Sequence, residues 1–178
     1  MTVSDCYSVA PAGGRCEKEL ETFALLDRLG ISYTRVEHDP ANTIADCAPI
    51  EAALGVAICK NLFLCNRQKT EFYLLAMPGS KPFQTKEVSR QLGVARLSFA
   101  PPELMEDYFG CPPGSASVLG LAYDTAHRVR LLMDRETYTS EWIGCHPCKN
   151  DGTLRIRTQD LLETFFPHTG HQITVLDL

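Results

Sequence analysis

The sequence predicts an α+β fold built on a mixed sheet, and three observations carry that expectation. Apolar residues at helical spacing and apolar/polar alternation of strand type both occur along the 178 residues. They mix without the regular β-α repeat of a doubly wound parallel sheet. Short strand-like runs are also often neighbours in sequence. The length fits one domain, read as residues 17–178 behind a loose N-terminal extension over 1–16.

Each element has a local reason. Residues 17–29 set Leu20, Phe23, Leu25, Leu26 and Leu29 close to helical spacing, and Gly30 is a natural stop. Residues 31–36 open with an alternation and read as a strand. The turn chemistry of His38-Asp39-Pro40-Ala41-Asn42 follows. The next helix ends at Leu54 with Gly55 as its cap, and starts either from Thr43 as N-cap or with Pro49 in a first turn. Residues 56–65 read as a buried strand, 66–69 as a turn and 72–77 as a second strand. A short helix over 86–92, a brief strand over 96–99 and a helix opened by Pro101-Pro102-Glu103 come next. The apolar run over 118–123 reads as a strand, as do 129–133 and 154–156. Thr158 is expected to cap a final helix through Phe166, and 173–176 to form a closing strand.

Composition excludes several classes. No run approaches the roughly 18 apolar residues of a membrane span, and residues 1–16 lack the basic and apolar regions of a signal peptide. A cytoplasmic protein is expected. The net charge of −5 argues against a broad nucleic-acid footprint, while leaving room for a grip on a short single-stranded end. The eight cysteines are irregularly spaced, with Cys47, Cys59 and Cys65 inside apolar patterns, as reduced thiols would be.

Three separated segments attract attention as pocket-forming. Lys60 shares the parity of Ile58, Leu62 and Leu64 and should point to their side. A lysine so placed either lines a cavity with an anionic visitor or a developing oxyanion, or snorkels to water from an edge strand. Gly114-Ser115-Ala116-Ser117 follows Pro112-Pro113; small residues let a backbone approach a ligand and leave amides uncovered, although a plain strand entry has the same composition. His146, in His146-Pro147-Cys148-Lys149-Asn150-Asp151, offers a neutral imidazole near pH 7 to position water, or is a turn histidine bonded to a carbonyl. Cys145 and Cys148 form a C-x-x-C, but a turn follows where a redox site needs a helix. With His168 and His171 they give a zinc alternative whose histidine spacing is short and is separated by a helix. His38, His127, His168 and His171 are assigned to solvent and Trp142 to packing. No phosphate-binding fingerprint, Ser-His-Asp order or paired-carboxylate pattern occurs.

Taken together, these segments resemble the YbaK and aminoacyl-tRNA-synthetase-associated editing-domain family, and within it the free-standing prolyl-tRNA deacylases. The likeness runs from about Leu20 to the C-terminus. It rests on Val36-Glu37-His38-Asp39-Pro40, Cys59-Lys60-Asn61-Leu62-Phe63-Leu64, Arg96-Leu97-Ser98-Phe99, Gly114 through Leu121, Asp124, Arg128-Val129-Arg130 and the His146 loop. It implies a mixed, mostly antiparallel curved sheet surrounded by helices, with one cleft for the aminoacylated tRNA end. By the same resemblance Lys60, Gly114, Ser115 and His146 are expected to be catalytic, and Thr43, Asn61, Ser117 and Asn150 to bind substrate. The implied reaction is hydrolysis of alanine mischarged onto proline tRNA, with no metal or other cofactor, no membrane, and an association with the translation machinery. Two departures bear on specificity: Val118 stands where many relatives have proline, and Asp151 where a hydroxyl residue is common, although Thr153 keeps the later hydroxyl. A non-catalytic adaptor binding a tRNA end or amino acid, and a thiol-redox or zinc protein using Cys145 and Cys148, are the alternatives.

Overall fold

The computed structural model describes residues 1–41 and 43–178, so the place of Asn42 in the expected turn lies outside the described residues. Along the chain come α1 (Glu17–Arg28), β1 (Tyr33–Glu37), a 3-10 turn (Ile44–Cys47) running into α2 (Ala48–Leu54), β2 (Cys59–Cys65), β3 (Phe72–Pro78), α3 (Thr85–Leu92), β4 (Ser98–Phe99) and α4 (Leu104–Phe109). A 3-10 segment (Val118–Tyr123), β5 (Val129–Asp134), α5 (Arg135–Thr139), β6 (Trp142–Cys145), β7 (Gly152–Arg157), a C-terminal helical segment and β8 (Ile173–Leu176) complete it. The class is α+β, as the sequence predicts.

Two sheets carry these strands. One has the order β1-β7-β6, antiparallel throughout. The other has the order β4-β2-β3-β5-β8, with antiparallel pairing around β2 and parallel pairing of β3 with β5 and β5 with β8. A parallel bridge between Ile58 and Gly144 joins them. Strand β3 is apolar along its length because both its faces are covered. Phe72, Leu74 and Ala76 enter the larger core, whereas Tyr73, Leu75 and Met77 enter a second core on the other face, under α3. Successive side chains alternate between two dry layers, so no polar position is needed.

Several expectations meet a correction here. Residues 118–123 form a 3-10 segment, not a strand. The Ser117 hydroxyl accepts the Leu119 amide at 3.2 Å and starts it. A Cβ at Gly120 would lie 2.9 Å from the Cβ of Phe109, so the segment lies flat on α4. Val118, Leu119 and Leu121 are all buried; a run covered on every side has no periodicity to read. Thr158 does not cap: it is the first helical residue after Arg157, and the helix continues through a π turn (Leu161–Phe165) to Thr169. Thr43 and Pro49 both serve the region before Leu54, Thr43 capping the 3-10 turn and Pro49 sitting in the first turn of α2. Helix α5 and strand β6 were not anticipated.

The N-terminal residues are laid against β1 and are no loose tail. Tyr7 and Arg35 exchange backbone hydrogen bonds at 2.9 and 2.7 Å, Ser4 donates its amide to Glu37, and Val3 bridges His38. Arg15 then reaches Glu19, Glu37 and Asp151. Two histidines assigned to solvent are buried: His38 bonds the Thr153 hydroxyl at 2.9 Å, and His171 pairs with the fully buried Asp124 at 3.2 Å. Among the described residues no helix is long and apolar enough to cross a membrane.

Candidate active site

Where the two sheets meet, a cavity of about 600 Å³ opens between the first residues of β2, the loop after α4 and the start of the loop after β6. Its walls are mostly apolar and small, including Ala41, Ala100 and Ala116. Polar groups are few: Thr43 at the rim, Lys60, Asn61 and His146. Lys60, Asn61, Gly114, His146 and Thr43, far apart in sequence, therefore line one space. Ser115, Ser117 and Asn150 do not line it and stand behind its walls.

Strand β2 supplies Lys60 and Asn61 on opposite faces. Leu62 and Leu64, which share the parity of Lys60, pack in the core beneath α3, whereas Phe63, which shares that of Asn61, packs in the larger core. Lys60 is not driven into either core. It lies half-buried at the end of its strand, donating to the carbonyl of Gly79 at 3.3 Å and to that of Lys81. The Lys81 ammonium, bonded to both oxygens of the buried Asp134 at 3.1 and 3.0 Å, holds that loop in place. Burial pushes the Lys60 ammonium below its usual range. An ammonium has three donors, and two are engaged. The Asn61 side-chain oxygen is buried and has no hydrogen-bond partner among the described residues. A buried acceptor left open in a cavity wall is a place for a donor from a ligand.

Gly114 takes φ +86°, the left-handed region, and a Cβ there would meet nothing within 4 Å. Glycine is needed for the backbone turn, not for space. The Ser115 amide is spent within this turn, donating to the carbonyl of Pro112 at 3.0 Å. Gly114 and Ala116 do line the cavity, and their amides have no partner among the described residues. The Ser117 hydroxyl donates to the carbonyl of His146 at 2.6 Å and so ties the glycine loop to the histidine loop.

His146 is set by its loop. Its Nδ1 lies 3.0 Å from the carbonyl of Gly152, which fixes that nitrogen as the donor and leaves Nε2 as the acceptor of a neutral ring. Burial is the main reason its pKa falls below the ordinary value. The His38 ring stands 6.4 Å away, centroid to centroid, and braces the same loop through the Thr153 hydroxyl, while the His38 backbone amide donates to the Asp151 carbonyl. Asn150 exchanges contacts with Ala41, its own carbonyl accepting the Ala41 amide at 3.1 Å, and joins the cavity's two sides from behind. Asp151, one of the departures from the family pattern, pairs with Arg15 at 2.8 Å and with Lys149. Sequence reading had no signal for Arg15, because its partners are brought to it only by the N-terminal segment running beside β1.

Thiol chemistry finds no footing here. Burial pushes the Cys59 thiol, in the cavity wall, up to about 12, and raises that of Cys145 as well. Cys145 and Cys148 are free and fully buried, and His168 is exposed while His171 is taken by Asp124. Among the described residues no cluster of three or more His, Cys, Asp or Glu side chains could hold a metal ion.

The fold and cavity define a class: an α+β domain whose mostly apolar pocket is lined by Lys60, Asn61, Gly114 and His146. Comparison gives the family. A profile described as the aminoacyl-tRNA editing domain matches residues 38–164, and the chain belongs to that family. Among similar proteins, prolyl-tRNA synthetase associated domain-containing protein 1 of Danio rerio is 34% identical over 98% of this chain and 94% of its own. Prolyl-tRNA editing protein ProX of Acetoanaerobium sticklandii is 28% identical over 87% of this chain and 94% of its own. A crystal structure described as a candidate trans-editing enzyme for prolyl tRNA synthetase superposes with a TM-score of 0.67 at 16% identity, covering 93% of this chain and 99% of that one. At that identity the likeness speaks for the fold alone.

Proposed function

We propose that this protein is a trans-editing aminoacyl-tRNA deacylase that hydrolyses the ester of mischarged tRNA, with Ala-tRNA(Pro) as its substrate. The observation that carries the reading is the convergence of Lys60, Asn61, Gly114 and His146 on one small apolar cavity. The editing-domain family and the relatives described as prolyl-tRNA editing or synthetase-associated proteins support it.

The physics explains why such an enzyme is needed. Binding alone discriminates small apolar side chains by only about 1–3 kcal/mol, so a second hydrolytic site that admits the smaller one is required for fidelity. Walls of alanine and other apolar residues suit a methyl side chain. In this reading the free amides of Gly114 and Ala116 hold the developing oxyanion, and the third Lys60 donor goes to the terminal phosphate or the amino-ester region. The open Asn61 oxygen suits the substrate ammonium. Neutral His146 offers Nε2 to orient the attacking water. Among the described residues no carboxylate lines the cavity, and we assign proton abstraction to assistance by the terminal ribose hydroxyl. In this account Ser115, Ser117 and Asn150 are positioning residues that hold the loops. The partner is the tRNA acceptor end, met in the cytoplasm beside the synthetase.

A panel of tRNAs mischarged with different amino acids, incubated side by side with the protein, tests the reading. Ester loss should be fastest for Ala-tRNA(Pro), with Pro-tRNA(Pro) spared; equal stability of every ester with and without protein would refute it. Replacing the terminal ribose with its 2′-deoxy form should abolish turnover while binding survives, and undiminished hydrolysis would remove the substrate-assisted step.

A further inference from the structure

Next to the site cavity, and sharing a wall with it, lies a groove of about 800 Å³ between α3 and β4. Phe99 is the shared wall. It lines both spaces and is 61% exposed, an unusual cost for a large aromatic ring. Phe83 stands behind it with ring centroids 5.7 Å apart. The rest of the groove sets three exposed cations, Lys86, Arg90 and Arg96, among the uncharged Gln84, Thr85, Ser89 and Val94. Arg90 pairs with Glu87 on the same helix, an exposed contact that water screens. Lys86 and Arg96 have no ion-pair partner among the described residues. In a chain of net charge −5 this cluster runs against the overall balance.

We infer that this groove is the track for a single-stranded polynucleotide whose 3′ end occupies the site cavity, an inference that rests on the deacylase reading for the identity of that end. Exposed rings for bases to stack on, set among cations for phosphates, are the footing of single-strand binding. Continuity through Phe99 gives the direction. The terminal nucleotide sits in the cavity, the one before it stacks on Phe99, and the phosphates further 5′ pass Arg96 and Lys86. This also reconciles an acidic protein with a nucleic-acid substrate: the contact is a short strip, not a broad basic face.

Fluorescence anisotropy with an uncharged RNA hairpin tests the track without any catalytic step. The hairpin carries a four-nucleotide single-stranded 3′ overhang, and a blunt hairpin of the same stem is the comparison. The overhang should tighten binding to wild type. Lys86→Glu with Arg96→Glu should weaken it about tenfold or more and flatten the log–log salt dependence by about 1.4, from two lost single-strand phosphate contacts. Phe99→Ala should weaken it roughly tenfold, with the salt dependence unchanged and Phe99→Tyr restoring affinity. Circular dichroism confirms that the variants are folded. Binding indifferent to the overhang, or variants that bind as wild type does, would overturn the track. So would a Phe99→Ala variant that only turns a dimer into a monomer in sedimentation, since the groove would then cover a second copy. Overhang-dependent binding without ester hydrolysis would instead sink the deacylase reading and leave the track standing.

Discussion

Lys60 and His146 are charged or chargeable groups kept in a half-dry place, and each is made tolerable in its own way. Two loop carbonyls receive the Lys60 ammonium, and one carbonyl receives the His146 Nδ1 proton. The histidine carries a pH signature. Its folded pKa is lowered by burial, so the folded protein resists a proton that the unfolded chain accepts at about pH 6.5. That resistance is without effect above about pH 6.5 and subtracts from stability as pH falls below it. Wild type should therefore lose more stability between pH 7.5 and 5.5 than His146→Gln does, measured as the shift in urea midpoint. Equal losses would contradict a buried neutral imidazole. At this scale the sequence was informative about which residue types matter. It was less informative about direct contact: the Ser115 amide is used by Pro112 and the Ser117 hydroxyl by His146, pairings created by a turn and a loop crossing that no spacing reveals.

Among the elements, the 3-10 segment Val118–Tyr123 with its cap Ser117, and the N-terminal segment with Arg15, are bonded to the His146 loop. Gly120 lies so close to Phe109 that a methyl group has no room, and Gly120→Ala should cost about 2 kcal/mol, read as a lower midpoint in chemical denaturation. An unchanged midpoint would mean that α4 can move aside. Arg15 bonds both the carbonyl and the carboxylate of Asp151, at 3.3 and 2.8 Å, in the loop that carries His146. Arg15→Ala should cost about 2 kcal/mol and raise KM more than a distant surface substitution would. Wild-type stability and KM would show that the clamp is idle. Helix α1, strands β2 and β3 and helix α3 were legible because periodicity and end signals agreed. The segment over 118–123 was not, because burial on all sides erases the pattern that separates strand from helix. Strand β6 was hidden by its composition: Gly144 is there because a Cβ would lie 3.0 Å from the Ala57 carbonyl where the two sheets join.

On the scale of the molecule, two sheets meet through Ile58 and Gly144 beside the cavity, and a groove that holds Lys86, Arg90 and Arg96 shares Phe99 with it. The α+β class and the convergence of the Lys60, Gly114 and His146 segments follow from the order of motifs along the chain; the groove does not, because Phe83, Lys86, Arg96 and Phe99 become neighbours only when α3 packs beside β4. The central claim is that the half-buried amine of Lys60 acts on a small aminoacyl ester in that cavity. Single-turnover deacylation of Ala-tRNA(Pro) by wild type and Lys60→Ala, with thermal unfolding recorded on the same samples, tests it most directly. The account predicts a rate lower by about 10²-fold or more with the melting temperature within about 2 °C of wild type. A folded Lys60→Ala protein that deacylates at the wild-type rate would contradict it.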